Sequence, residues 1–476
     1  MPMPAAHRCL PCASPSRHAW RRLLGGLLLA LLAESAGSAH ADTLLQVLAA
    51  AQRDNPTLRS ARADCAAALQ QIPLARSRLL PQLRASADLG ENLHDETGNP
   101  LLRMFGMAPH WNFVQRDLAL SATQQLYDPA DGLAVQQARL AADAAYVRLA
   151  QAEQRLMLEV AQDYFALLGA DDTLRTLRRQ QAAIARQLAQ ARARFAAGSG
   201  TVLDLRDAQA RADLLRAQRV AARGQRQVAL DRLRSVAGTA VGAPAPLLAD
   251  ARLPQPPSDA AAWAQRARRD NLQVTQARLQ LRIAHLQLQR ARSNALPTVQ
   301  AYARVDRLST SGGGSQFPFG DRVDSASVGV RVQWPLFTGY ALRSEQRGSA
   351  ARLEQAQADV DAARDAAALQ ARSALADWEA AHARARALRA ALRSSRSALQ
   401  AERTGFAAGL RVNLDVLDAL AQLYDTERQE QNARYDSLLD GLRLRLATGR
   451  LDTRDLAEVD ALLRQRPPAA PGQSIE

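Results

Sequence analysis

The sequence predicts a mainly α chain that also carries a transmembrane β-barrel: long coiled-coil hairpins, four short amphipathic strands, and two copies of one module. Three observations lead to this class. One pattern is stated twice: Asn55 and Pro81 recur as Asn271 and Pro297 at a common offset, and Phe195, Gly198, Asp204, Asp207 and Gly238 recur as Phe406, Gly409, Asp415, Asp418 and Gly449 at a slightly shorter one. Two stretches are almost free of helix breakers, with no proline between Pro129 and Gly198 or between Pro335 and Pro467. Four windows alternate apolar and polar side chains with a period of 2, the signature of strands with one apolar face. A repeat of about 210 residues is too long for a solenoid unit of 20–50, so the duplication points to two large modules around a pseudo-symmetry axis.

Residues 1–41 read as a secretory leader. Arg8, Arg17, Arg21 and Arg22 precede the apolar run from Leu23 to Ala33, and Ala39-His40-Ala41 offers a small-x-small cleavage site before Asp42. Neither Cys9 nor Cys12 follows the apolar run, so no lipid anchor is expected, and Cys65 remains alone in the mature chain without an internal disulfide partner. No later segment approaches the ~20 apolar residues of a transmembrane helix. Membrane passage is therefore expected from strands.

The first module, residues 42–241, opens with a helix and continues into strands over about 82–90 and 117–126, where Leu83, Ala85, Ala87, Leu89, Leu118, Leu120 and Ala122 form the apolar set. A helix from about 130 to 197 would span roughly 100 Å. Leu174, Leu177, Gln181, Ile184, Leu188, Ala191 and Phe195 give it a heptad seam, matched after the turn by Leu205, Ala208, Ala212 and Leu215. Gly198 and Gly200 mark that turn, so the chain folds back as an antiparallel hairpin. A proline-rich linker, 242–259, separates the modules.

In the second module, residues 260–449, Val299, Ala301, Ala303 and Val305 alternate within a strand over about 298–306, and Val328, Val330, Val332 and Trp334 within one over about 325–334. Leu388, Leu392, Leu399 and Phe406 before the Gly409 turn, with Leu417 and Leu420 after it, repeat the hairpin seam, and residues 450–476 form a tail. Long turn-rich loops, 90–116 and 307–322, join each strand pair, as at the external end of an outer-membrane barrel. Tyr127, Trp334 and Phe337 fall where strand gives way to helix, suiting either an interfacial aromatic belt or packing at the junction. Four strands cannot close a barrel, which needs roughly eight, and an apolar sheet with bare edges aggregates. Other copies of the chain must supply the rest; two would give eight strands and three would give twelve.

Composition excludes other classes. The net charge of +14 comes from 61 basic residues, all arginine, interspersed with Ala, Gln, Asp and Glu along the helices, and aromatics make up only 4%. That is not the clustered, stacking-rich surface of a single-strand binder, so no nucleic-acid partner is expected. His94, His110, His285 and His382 are isolated, and neither a phosphate loop nor a nucleophile motif occurs. No catalytic, cofactor or metal residues are assigned, and the chain is not expected to be an enzyme. A periplasmic coiled-coil scaffold or adaptor without a barrel would account for the leader and the hairpins, but not for four amphipathic strand windows.

The opening TLLQVLAAAQRDNPTLRSARAD, the turns ARSRLLPQL and ARSNALPTV, PLFTG at 335–339, the paired RFAAGSGTVLDLRDAQ and GFAAGLRVNLDVLDAL, and the closing NARYDSLLDGLRLRLATGRL together resemble the TolC-like outer-membrane factors of type I secretion and tripartite efflux. That resemblance covers about residues 42–460. It implies a homotrimer that contributes twelve strands to one barrel in outer-membrane lipid, continued by a helical periplasmic tunnel, with 242–259 and the tail at its equator. It also implies partners: a periplasmic adaptor at the hairpin tips, and an inner-membrane ABC or proton-driven transporter.

Asp415 and Asp418 are three apart on a helix and share a face; the resemblance matches them to inward-facing acidic positions, which threefold symmetry turns into a ring of six at the pore constriction. Asp415 is equally placed to cap the first turn of its helix. By the same resemblance Arg411 and Arg434 match arginines of the links that hold the entrance shut, and Asp204 matches their carboxylate partner. Phe406 stands at a tyrosine link position, with Ala193 and Leu203 at two further polar ones, so part of the family's closing hydrogen bonds cannot form here.

Overall fold

The computed structural model describes residues 43–95, 110–239, 241–311 and 322–463, with Pro100 and Met104. The expected leader, the glycine-rich loop around Gly313 and the end of the tail lie outside the described residues. The first module runs α1 (Leu44–Asp54), α2 (Pro56–Ser77), β1 (Gln82–Asp95), β2 (His110–Tyr127), α3 (Pro129–Ala196) and α4 (Val202–Ala237). The second repeats that order as α5 (Ala260–Asp270), α6 (Leu272–Ser293), β3 (Thr298–Ser311), β4 (Arg322–Gln333), α7 (Ala341–Ala407) and α8 (Asn413–Ala447), and α9 (Thr453–Asp460) follows.

The long helices start and stop on local signals. Asp128 accepts the Ala130 N–H at 2.8 Å with Pro129 at the first helical position, satisfying an otherwise orphaned donor where proline loses nothing. The helix then runs 68 residues, and α7 runs 67, so each is roughly 100 Å long. Both end at a glycine in the left-handed region, Gly198 at φ 70° and Gly409 at φ 75°, and the next N–H returns to the last turn, Ser199 to Arg194 at 2.9 Å and Leu410 to Gly405 at 2.8 Å. Left-handed backbone of this kind is free only to glycine. Gly200 serves differently: a β-carbon there would lie 3.0 Å from that of Arg194.

Most of the heptad seam is buried as the spacing predicts; Gln181, Leu205 and Leu388 are half-buried and Phe195 is exposed. Leu174, Leu177, Ile184, Leu188 and Ala191 pack with Ala208, Ala212 and Leu215 of α4, and the cluster continues into Leu399, Val416, Leu417 and Leu420, so both hairpins share one core. Phe195 is 45% exposed, because α3 ends one residue later and α4 begins only at Val202. Its repeat-mate Phe406 is half-buried against the cluster.

A second set of repeated residues meets where each module closes on itself. Asn55 caps α2 and donates its side-chain N–H to the Val236 carbonyl at 3.0 Å. Asn271 caps α6 and donates to the Ala447 carbonyl at 2.7 Å. Beside each lies the glycine that ends the returning helix, and a β-carbon would stand 2.7 Å from Asp54 Cβ at Gly238 and 2.7 Å from the Asp270 carbonyl oxygen at Gly449. Near this level the largest core gathers Leu44 and Leu48 of α1, Val160 and Tyr164 of α3, Leu233 of α4, Leu442 of α8 and Leu456 of α9. The proline-rich segment is tied to that core: the Tyr164 hydroxyl accepts the Ala245 N–H at 2.8 Å, and Leu247 pairs with Leu463.

The four strands form one antiparallel sheet in the order β1-β2-β3-β4. They are longer than the alternation indicates, reaching Asp95, back to His110, on to Ser311 and back to Arg322, so the connecting loops are shorter than expected. In these extensions the period-2 signal breaks, because Glu91, Arg116, Ser309 and Arg322 enter the apolar face between Leu89, Leu93 and Val114, while the ladder continues in register. Trp334 lies just beyond β4. One sheet face is apolar and open, with Leu83, Leu89, Leu118, Val305, Val328, Val330 and Val332 exposed. The other carries Arg84, Asp117, Ser121, Arg304 and Asp306. Tyr127, Trp334 and Phe337 are exposed at the sheet–helix junction, which favours the belt position over packing. Among the described residues no helix is long and apolar enough to cross a membrane.

Candidate functional site

The two hairpin tips lie side by side, and Asn413 joins them. It is 2% exposed; its amide nitrogen donates to the Asp204 carbonyl at 3.4 Å and its amide oxygen accepts from Gln187 at 3.0 Å. Asp204 closes a capping box on α4: its carboxylate accepts the Thr201 hydroxyl at 2.6 Å, and its own N–H donates to that hydroxyl at 3.1 Å. Asp415, its repeat-mate, holds the same place on α8 and accepts the Val412 N–H at 3.3 Å. Its capping position is therefore occupied, and its side chain remains partly exposed to solvent.

Arg411 reaches Glu402 at 3.4 Å and Asp415 at 3.9 Å, so within the protomer it does not meet Asp204. Asp418 pairs with Arg211 of the other hairpin. The Arg411–Asp415 and Arg211–Asp418 pairs are substantially solvent-exposed, worth about 0–1 kcal/mol each. Arg434 does not belong to the tip. At 1.5 Å per residue it sits about 35 Å further along α8 than Arg411. There it is 8% exposed and donates to the Leu248 carbonyl at 2.6 Å, anchoring the proline-rich segment. The expected contact of Asp204 with Arg434 is ruled out by that difference in level. Beside it the Tyr435 hydroxyl donates to Asp172 at 2.5 Å and its ring stacks on Phe165. Burial pushes the Asp172 carboxyl above the usual carboxylate range, with Tyr435 and Arg175 opposing.

Phe406 finds a partner that spacing does not reveal. The Arg194 guanidinium lies 4.3 Å from its ring centroid, a cation–π contact worth ~0.5–1 kcal/mol at an exposed site. It joins the end of α3 to the end of α7, one hairpin to the other. Leu203 is exposed and Ala193 likewise. Arg194, Arg211 and Asn413 are thus the tip residues that sequence reasoning missed. Neither arginine is distinguishable by type in an arginine-rich helix, and Asn413, although a cap-type residue at a helix start, is the first helical residue and bridges to the other hairpin instead of capping.

The profile of the outer membrane efflux protein family matches residues 47–239 and 263–450. The chain belongs to that family. It is 29% identical to outer membrane protein TolC of Vibrio cholerae over 93% of this chain and 99% of that protein. It is also 29% identical to the alkaline protease secretion protein AprF of Pseudomonas aeruginosa, over 93% and 91%. Among solved structures, the outer membrane protein VceC of Vibrio cholerae superposes with a TM-score of 0.69 at 20% identity, covering 85% of this chain and 96% of that one. As a member of the outer membrane efflux protein family, the chain is an outer-membrane protein whose helices form a periplasmic tunnel. The apolar sheet face is then the lipid face, and the hairpin tips are the end farthest from the membrane.

Proposed function

We propose that the chain is the exit duct of a tripartite efflux pump or type I secretion system: a passive channel through which an inner-membrane transporter drives cargo. The observation that carries this is the union, in one protomer, of a four-stranded sheet with an open apolar face and two helical hairpins whose outgoing helices are each roughly 100 Å long. The sheet needs more strands to close, and three copies give twelve, wide enough for a water-filled lumen. A periplasmic adaptor docks at the tips, and ATP hydrolysis or a proton gradient elsewhere supplies the work.

Asp415 and Asp418 line the narrowest ring in this reading, with Arg211 offsetting part of the charge of Asp418. Asp204 and Arg411 close the entrance across neighbouring protomers, and Arg194 on Phe406 holds the two hairpins of one protomer together. Support comes from their shared level at the tips and from the solvent-facing position of Arg411.

The test is reconstitution. Protein purified from outer membranes should run as a trimer in detergent and give discrete single-channel steps in planar bilayers. A deletion strain should lose either export of a secreted protein or resistance to an apolar drug. A monomeric species without channel steps would overturn the reading.

A further inference from the structure

The sheet register fixes the height of each lipid-facing side chain. From the helical end upward the rows are Val299 with Val332, Ala301 with Val330, then Ala122, Ala303 and Val328 with Leu83, then Leu120, Val305 and Ala326 with Ala85. The next row, Ala87, Leu118, Arg307 and Asp324, brings the first charges, and these neutralise one another through hydrogen bonds of 2.6 and 3.2 Å. One row higher stand Leu89, Arg116, Ser309 and Arg322. Arg116 and Arg322 are exposed, and neither forms a hydrogen bond or salt bridge with another described residue. Glu91, a further row up, is held by the Asn112 amide at 3.1 Å.

Their height is that of a membrane surface. Between Val332 and Arg322 the strand climbs ~33 Å, or ~25 Å along the membrane normal at a tilt of ~40°, the height of the apolar band of an outer-membrane barrel. This end of the sheet is opposite the helices, so the row lies at the outer leaflet. Two strand spacings of ~4.8 Å separate the two arginines, with the Ser309 hydroxyl between them. Two guanidinium forks on one row of one face, with a hydroxyl between them, suit a tetrahedral dianion, because each can donate two parallel N–H groups where an ammonium offers a point charge.

We propose that Arg116, Ser309 and Arg322 form a phosphate clamp for a phosphorylated glycolipid headgroup of the outer leaflet, one per protomer. The inference rests on the membrane-barrel reading. Arg307, already paired with Asp324, stiffens the base of the clamp without competing for the ligand.

The experiment uses the assembled full-length protein in detergent, titrated with bisphosphorylated lipid A and with its dephosphorylated form, binding being read by native mass spectrometry. The parent should prefer the phosphorylated lipid, and Arg116→Gln with Arg322→Gln should weaken that binding about tenfold while leaving the dephosphorylated form unaffected. Arg116→Lys with Arg322→Lys should fall between, since charge remains and the fork is lost. Equal binding of both lipids by the parent, or unchanged affinity in the Gln double variant, overturns the clamp. Should the double variant instead lose its trimer on mild heating with affinity unchanged, the arginines belong to the subunit seam and the clamp is again overturned. Trimer mass and channel conductance measured on the same preparation report on the barrel reading separately.

Discussion

At the residue scale, the contact of Arg194 with Phe406 ties the end of one hairpin to the end of the other. A phenyl ring offers no donor, but its face attracts a cation, and the guanidinium 4.3 Å away supplies one. Arg194→Gln and Phe406→Ala are each expected to raise single-channel conductance in planar bilayers. Combined, they should do little more than either alone, with a coupling of ~0.5–1 kcal/mol in a double-mutant cycle. Additive effects would show that the two side chains act independently. The tip was partly legible: the repeated Gly and Asp positions brought Asp204, Asp415 and Asp418 to the hairpin ends, and the family resemblance added Arg411. Arg434 was misplaced although the rise of a helix, applied to its spacing from Arg411, puts it far from the tip. Arg194 and Arg211 were illegible because the helices are full of arginine, and only three-dimensional proximity distinguishes these two.

At the scale of elements, the paired clasps explain why asparagine and glycine recur where the modules close. In each, an asparagine satisfies a donor of its own helix and a carbonyl of the returning one, while glycine lets the two backbones touch. Gly449→Ala forces an L side chain into φ 71° and against a carbonyl oxygen at 2.7 Å, with an expected cost of ~1–3 kcal/mol. Asn271→Ala removes a cap and strands the Ala447 carbonyl, costing ~1–2 kcal/mol. Gly132→Ala on α3, where the added carbon meets nothing within 4 Å, is the control and should stabilise by ~0.5–1 kcal/mol. Thermal unfolding followed by helical circular dichroism separates the three. The repeat announced these residues without disclosing that they touch, since a spacing identifies equivalents and not neighbours. Strand ends were missed for a related reason: alternation reports a uniformly apolar face, and beyond it the hydrogen-bonded strands continue with charged and apolar residues mixed on the same face.

At the scale of the whole molecule, two electrostatic arguments oppose each other. The chain is strongly basic, with a net charge of +14, which favours anions on average. In the proposed duct the narrowest ring is acidic, and a constriction lined by carboxylates would decide selectivity because every ion must cross its local field. Three copies of Asp415 and Asp418 give six carboxylates, while Arg211 sits against each Asp418 and reduces the field. The parent channel should therefore be modestly cation-preferring and blocked by multivalent cations from the tunnel side. Arg211→Gln should strengthen both properties, because it releases three carboxylates without changing the pore wall elsewhere. Asp415→Ala with Asp418→Ala should abolish the block and carry the reversal potential in a salt gradient toward anions, since only the basic remainder is left. At like-charge separations of roughly 8 Å, each pair contributes ~0.5–2 kcal/mol of field at the ring, enough for several-fold changes in permeability ratio. If reversal potential and block are the same in parent, single and double variants, the acidic residues do not face the pore, and the basic surface sets the selectivity of the duct.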